Sequence, residues 1–548
     1  MSDRWAVAVA AAVMLGAWGH PSLSLALGVA VVVAAFVLQR PAVLVVGGFV
    51  LAAALGTRAV DGLAPIASSP FEGTVTLLAD PTVGPYGTTV DVRVGRHHIQ
   101  LEASDGAAGA VGAALAGERM LVRGHLGPPP PDAPWLVPRH VVGRLRVQAA
   151  ERVDGGAAPW RAANRFRRLL GRGAEALPQD DRALYGGFVL GDDRDQSPAV
   201  IDDFRGAGLS HLLVVSGQNV AFLLVVASPI TRRMGLGGRW LVTIGLIGAF
   251  GVLTRFEPSV LRASAMATLA VTAALAGRPV GTIRVLSLAV AGLVLIDPLL
   301  VQSVGFQLSV AASAGIGLLG PPIVAHLRGP RWWREAVGVT VAAQLGVAPV
   351  LVPRFGGLPV VSVPANVLSV PVAGLVTTWG LPAGVVAGLG GPTVARWAHL
   401  PTRLMIEWVA LVARVAASLP LGDLGPWHLV ALSVAGVVLV VVSPRWPRWR
   451  LPRHLAVGVI AVVLVQPAIV LHSPPSVVVL SSGARLERSG GATVLQLQGR
   501  PQSGTLMQDL RRAGVRRLDL VIAPGNPSPD LLAALRHRWP VGRVITSR

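Results

Sequence analysis

Four hydrogen-bonding side chains, His211, Ser216, Gln218 and Asn219, fall within nine residues of the otherwise apolar stretch FRGAGLSHLLVVSGQNVAFLLVV at 204–226. Hydrocarbon satisfies neither an imidazole nor an amide, so such groups persist at membrane depth only against other protein or a water-filled path. Ser-Gly permits a local helix break, which would free backbone carbonyls and N–H groups to line that path. A polar clamp between helices is the alternative, and it would account for one or two of these residues. Four together favour a site. Hydrolysis is a poor reading, because His211 and Ser216 stand five residues apart and share a helical face only if the helix breaks.

Further polar residues enter apolar segments downstream. Arg262 lies four residues inside a span that begins at Pro258, where a guanidinium must snorkel, pair with an acid or face water. Asp297, ahead of Pro298, is its natural partner, although an aspartate there also suits a helix-start cap. Gln302, Gln307 and Ser309 are expected in one helix, with 302 and 309 a heptad apart on one face. Gln344 and Asn366 add two amides, and PVVSVPANVLSVP reads as a broken or re-entrant segment. Helix packing could use any two of these residues; the whole set points to a hydrophilic path.

The stretch GLSHLLVVSGQNV resembles the core motif of the ComEC competence-protein family. Agreement continues in order through PSVLRASAM at 258–266, IDPLLVQSVGFQLSVAASAGI at 296–316 and APVLVPRFGGLPVVSVPANVLSVPVAG at 348–374. The resemblance spans roughly residues 180–420. It implies an inner-membrane channel that takes up single-stranded DNA in natural transformation. It also implies an outer DNA receptor, a separate nuclease and a cytoplasmic motor as partners. Family members often carry histidine where this chain has Asn219, a departure that removes support for proton transfer or metal binding there and leaves hydrogen bonding. A transporter or lipid-handling protein that has kept the fold without DNA transport is the other reading.

Composition sets the class independently. The 548 residues are 52% hydrophobic and only 14% charged, with more long apolar runs than a soluble protein buries. Mean hydropathy is +0.60. Without cysteine there are no disulfides and no thiolate ligands. The net charge of +20 is carried by arginine, since lysine is absent, and a phosphate loop of Walker type is thereby excluded. Arginine fits phosphate and stacks on bases, although a GC-rich genome explains the missing lysine better.

Residues 1–57 read as about three spans, broken at Gly19-His20-Pro21 and Gln39-Arg40-Pro41. In 58–155 the alternation of EGTVTLLAD, TTVDVRVGRHHIQLEA, ERMLVRGHLG and VGRLRVQAA predicts an OB-like β-barrel. Its histidines, including His97, His98, His125 and His140, show no metal-ligand spacing and read as surface residues. Residues 156–203 hold an amphipathic helix in which Arg161, Arg165, Arg168 and Arg172 lie off the apolar face, suited to lipid headgroups or to DNA phosphate. The channel domain follows at 204–471, and arginine clusters between its spans give about thirteen spans in all. They place the N-terminus inside, and the β-domain and C-terminal domain outside, the cytoplasmic membrane.

The tail, 472–548, resembles the opening of a metallo-β-lactamase-like domain. It has lost the metal cluster, for the chain reads Pro524-Gly525-Asn526-Pro527-Ser528-Pro529-Asp530 after LDLVIA. A non-catalytic remnant is expected, with no metal and no cofactor. The expected fold class is thus a polytopic α-helical membrane protein with an OB-like barrel and a small α/β tail. Self-association into a homo-oligomer stays open from the sequence.

Overall fold

The computed structural model describes all residues except 1, 85–86, 216, 279, 438–449, 473–475, 490, 500, 526, 528 and 548. The chain forms two units, Met1–Ala176 with Val215–Ala325 and Thr377–Ala398, and Leu177–Val214 with His326–Val376 and His399–Arg548. Each is built around apolar helices and carries its own β-sheet.

The first unit opens with helices Asp3–Gly19, Leu25–Val37 and Pro41–Asp61. They end where the sequence breaks, at His20 (φ 31°) and at Gln39 (φ 50°) ahead of Pro41. Alternation then shifts to period two, and six strands follow: β1 Ser69–Leu77, β2 Thr82–Gly84, β3 Gly87–Val94, β4 His97–Ala103, β5 Arg119–Gly127 and β6 Val141–Asp154. The sheet order is β1-β5-β6-β4-β3-β2, and an added β1–β3 pairing closes the ring. Only β4 and β6 run parallel; helix Asp105–Gly112 lies between β4 and β5 in the chain. Inward residues Val75, Leu77, Val92, Ile99, Leu101, Met120 and Leu145 are almost fully buried and form its core. Their every-other spacing, one face of each strand, is what the alternation encodes.

The remaining elements of this unit are helices Ala158–Ala174, Gly217–Thr231, Leu236–Leu253, Pro258–Leu275, Thr282–Ile296 and Val304–His326, with a 3-10 turn at Pro298–Gln302. That turn corrects one expectation. Pro298 cannot continue the preceding helix, and the next helix starts only at Val304. Gln302 therefore sits in the turn, outside the helix that carries Gln307 and Ser309, and the heptad relation between 302 and 309 fails.

In the second unit, helices Gln179–Leu190 and Pro198–Gly206 lead into a 3-10 turn, Ser210–Leu212. Helices Arg331–Phe355, Leu400–Ser418, Pro426–Val437 and Arg450–His472 follow, with a two-residue ladder of β7 Leu358–Pro359 on β8 Asp423–Leu424. The long helix Ser362–Ala398 begins here. Contrary to the re-entrant reading of 359–371, it runs on through Pro371, and its non-helical break falls at Gly391 (φ 79°).

The tail forms a five-stranded sheet ordered β13-β12-β11-β10-β9 (β9 Val477–Val479, β10 Arg485–Ser489, β11 Ala492–Gln496, β12 Leu518–Pro524, β13 Val541–Ser547). Strands β11, β12 and β13 run parallel, connected through helices Ser503–Arg512 and Pro529–Arg538. Leu486, Leu495, Leu506, Leu510, Leu518 and Leu535 are its fully buried centre.

Among the described residues six helices are long and apolar enough to cross a bilayer, and five further apolar helices are shorter. The chain is a multi-pass membrane protein by length and composition of its helices.

Candidate functional site

In the first unit three helices meet at Arg262. Its side chain is 9% exposed. Nε donates to Ser309 Oγ at 2.7 Å and Nη1 lies 3.0 Å from Met266 Sδ. A Cβ at Gly217 would stand 2.7 Å from Nη2, so the start of helix Gly217–Thr231 approaches this guanidinium closely only because residue 217 is glycine. One turn away, Ser259 Oγ donates to the carbonyl of Val215 at 2.8 Å. Among the described residues no carboxylate pairs with Arg262. A cation taken out of water without a counter-charge is costly, and the arrangement leaves part of the fork unspent.

The acid expected to pair with it is used elsewhere. Asp297 Oδ1 accepts from Leu299 N at 3.1 Å, the helix-start cap, and lies 3.0 Å from His140 Nε2. Proline at 298 fixes the backbone so that the preceding carboxylate folds back onto its own turn. His140, its side chain 38% exposed, is a surface histidine with a partner: it joins the β-domain to the turn Pro298–Gln302, with the His98 ring edge-on at 6.0 Å. The hydrogen bond that it donates to Asp297 holds the His140 imidazole above its ordinary 6.5 against the opposing effect of burial. A raised folded value means that this contribution is complete below the unfolded value and is lost as pH rises through the folded one. Thermal melts of the full chain should therefore show lower stability as pH is raised past 6.5, a slope that His140→Gln removes.

The other predicted residues take distinct places. Gln307 Nε2 donates to the carbonyl of Val301 at 2.5 Å, tying its helix to the 3-10 turn. Gln302 and Ser309 are half-buried, Gln218 is exposed and Asn219 is buried. Ser216 lies outside the described residues.

In the second unit the motif's first half is a clamped turn. Gly208 (φ 70°) packs so closely that a Cβ would come within 2.5 Å of Ser362 Cβ. Asn366 Nδ2 donates to the carbonyls of Gly208 (3.3 Å) and Ser362 (2.8 Å), and Gln196 Nε2 donates to the carbonyl of Leu213 at 3.1 Å. Asn366 therefore fixes backbone here. Gln196 was not singled out by spacing, since a buried amide in a loop leaves no periodic trace. His211 is exposed on this turn and Gln344 is half-buried.

On helix Ala158–Ala174 the arginines Arg161, Arg165, Arg168 and Arg172 are exposed, as the pattern predicts. Arg168 reaches Glu118 at 3.3 Å and Arg161 donates to the carbonyl of Gly156. Among the described residues Arg165 and Arg172 make no ion pair. The opposite face is less apolar than expected, because Asn164 and Arg167 are buried with Ala163, Leu170 and Ala174. Asp80, from the β-domain, accepts from both Arg167 Nη2 and Arg255 Nη2 at 2.9 Å, and Asn164 Oδ1 accepts from Arg255 Nη2 at 2.7 Å. Arg255 also lies over the Trp160 ring, 5.5 Å from its centroid. Burial pushes the Asp80 carboxyl up, yet Arg167 and Arg255 outweigh it and hold the group below the usual aspartate range.

The family described as "Competence protein" matches residues 188–449, which contain the clamped turn, Arg262 and Asn366. These residues form a competence-protein domain. ComE operon protein 3 of Bacillus subtilis (strain 168) is 27% identical over 243 residues, 44% of this chain and 31% of that protein. The uncharacterized protein YcaI of Escherichia coli (strain K12) is 27% identical over 320 residues, 50% of this chain and 41% of that protein. The chain thus spans well under half the length of these relatives. No solved structure matches it. Within the competence domain the described polar groups divide between those spent on backbone, such as Asn366 and Gln307, and those without a full set of partners, chiefly Arg262.

Proposed function

We propose that this protein is an inner-membrane channel for single-stranded DNA in natural transformation. The observation that carries the reading is Arg262, a buried guanidinium inside an apolar helix of the competence domain with a serine and a thioether, and no acid among the described residues, as partners. Passing phosphates would supply transient counter-charge, and a site built of hydroxyls, amides and few arginines releases a polyanion readily. The closed strand order β1-β3-β4-β6-β5, with a helix between β4 and β5 and parallel β4 and β6, supports reading the β-domain as an OB fold that handles single strands. The exposed Arg161, Arg165, Arg168 and Arg172 would gather phosphate or rest on anionic headgroups.

The tail is read as a non-catalytic remnant of a metallo-β-lactamase-like fold, because residues 524–530, directly after LDLVIA, hold one carboxylate and no histidine. Arginine bias places the N-terminus inside and both soluble domains outside. A DNA receptor, a nuclease and a motor would be separate proteins.

The test is entry of labelled DNA into a strain lacking the gene and complemented with variants. Unchanged uptake in the deletion strain would reject the channel and favour a transporter of other cargo. Ser216→Leu and Asn219→Leu should each abolish uptake with normal amounts of protein in the membrane fraction; wild-type transformation by both would remove these residues from the path.

A further inference from the structure

The second unit contains a cavity of about 620 Å³ where the tail meets the ends of helices Leu400–Ser418 and Arg450–His472. The sequence RRAGVRR at 511–517 builds one wall. Helix Ser503–Arg512 stops at Gly514 (φ 68°), whose missing Cβ lets the turn come against the carbonyl of Leu471, 3.2 Å from where that Cβ would stand. Arg511 and Arg512 therefore precede the turn, Arg516 follows it, and Arg538 arrives from helix Pro529–Arg538.

Three of these four guanidinium groups are tied to protein. Arg511 donates to the Asp202 carbonyl at 2.9 Å, Arg538 to Asp203 at 3.0 Å and to the carbonyl of Ala417, and Arg512 to Asp423 at 3.1 Å and to the carbonyl of Phe355. Guanidinium groups at helix C-termini are favourable neighbours for the carbonyls there. Charge is not balanced by this. Arg414 also approaches Asp203, at 3.9 Å, and Arg205 reaches the carbonyl of Gly504, so of six guanidinium groups here four share three carboxylates. Arg516 is exposed and has no ion pair among the described residues.

The opposite wall is aliphatic, with Leu419, Pro467, Val470 and Leu471, and its polar edge is the His428–Gln466 pair at 2.6 Å. The indole of the lining, Trp539, is buried with its Nε1 donated to the carbonyl of Val515, and the His428 imidazole is tied to Gln466, so no large ring face is presented for a base to stack on. A nucleic acid strand is poorly served by such a lining, whereas a phosphodiester carrying a hydrocarbon portion meets both walls. We propose that this cavity binds the headgroup of an anionic phospholipid, its phosphate on Arg516 and on the edge of the Arg512 guanidinium left over by Asp423, Phe355 and Gln508, its glycerol and first methylenes against the aliphatic wall. The site does not depend on DNA transport.

The full-length protein in non-ionic detergent is offered phosphatidylglycerol or phosphatidylcholine, and retained lipid is counted by native mass spectrometry. Phosphatidylglycerol should be retained over phosphatidylcholine, and Arg516→Ala, an exposed position, should weaken that retention about fivefold, with Arg516→Lys restoring most of it. Equal retention of both lipids, or unaltered retention in both Arg516→Ala and Arg512→Ala, overturns the proposal. So does displacement of the lipid by glycerol phosphate or by a single-stranded oligonucleotide at matched phosphate concentration, which would assign the cavity to free phosphate or to nucleic acid.

Discussion

Arg262→Leu is expected to reduce transformation by about a hundredfold or more while leaving the protein in the membrane at wild-type levels or above. The sign of the second effect decides between roles. An arginine at the centre of a spanning helix costs about 2.5–3.5 kcal/mol on insertion scales and less at Arg262, four residues in from Pro258, so leucine removes a part of that penalty. If Arg262 only braced Ser309, at 2.7 Å, its loss would be nearly neutral for uptake, since serine easily finds a backbone carbonyl within its own helix. If it meets phosphate, the same change deletes the counter-charge from the path. Arg262→Lys keeps the charge and loses the planar fork, and should fall between the two. Transformation frequency together with quantitative immunoblotting of membrane fractions reads both quantities; normal uptake by Arg262→Leu would rule the residue out as part of the path.

The largest stability effect is expected at Asp80. Arg167 and Arg255 have side chains 4% and 8% exposed, and both depend on this carboxylate, itself 11% exposed. Asp80→Ala removes the carboxylate that these two buried guanidinium groups share, a change of about 3–5 kcal/mol by comparison with other broken buried pairs. Differential scanning fluorimetry of the full chain should register a clear drop in melting temperature. Asp154→Ala, which removes an exposed partner of Arg119, should shift it little. The pH dependence has a definite direction: a folded value held below 3.8 gives stability that is present above the unfolded value and is lost as pH falls through the folded one. A melt of Asp80→Ala indistinguishable from wild type would show that the network is bridged by water and carries no weight.

Local pattern made part of this architecture legible. Alternation gave the strands of the β-domain because one face of each, for example Val75 and Leu77 in β1 or Ile99 and Leu101 in β4, must be apolar to fill the barrel. Gly19-His20-Pro21 and Gln39-Arg40-Pro41 marked the ends of the first two helices, where His20 and Gln39 take positive φ, and motif order identified the competence domain. Pairing was less accessible. Asp297 is nearer in sequence to Arg262 than to its partner His140, which is 157 residues away, and no local pattern links that pair. Asp80, Arg167 and Arg255 come from three separate segments, and periodicity reports which face a residue occupies, not what it meets there. One signal was available: Ala163, Arg167, Leu170 and Ala174 recur at steps of four, three and four, which puts Arg167 on the buried face despite its charge. Prolines misled in both directions. The proline-rich segment 359–371 reads as broken or re-entrant, yet Pro364 and Pro371 are carried inside a helix, while Pro298, expected at a helix start, makes a separate 3-10 turn.

The clamped turn at 208–213 bears on how selectivity could be altered. Its amides at 208, 209, 212 and 213 already donate to the carbonyls of 205, 204, 209 and 210, and the carbonyls of 208 and 213 are held by Asn366 and Gln196. With these main-chain groups already engaged, cargo passing this turn would meet chiefly what projects from it, beginning with the exposed His211. Exchanging that one imidazole for residues of other charge and size should retune preference for the translocated polymer without disturbing the scaffold that presents it.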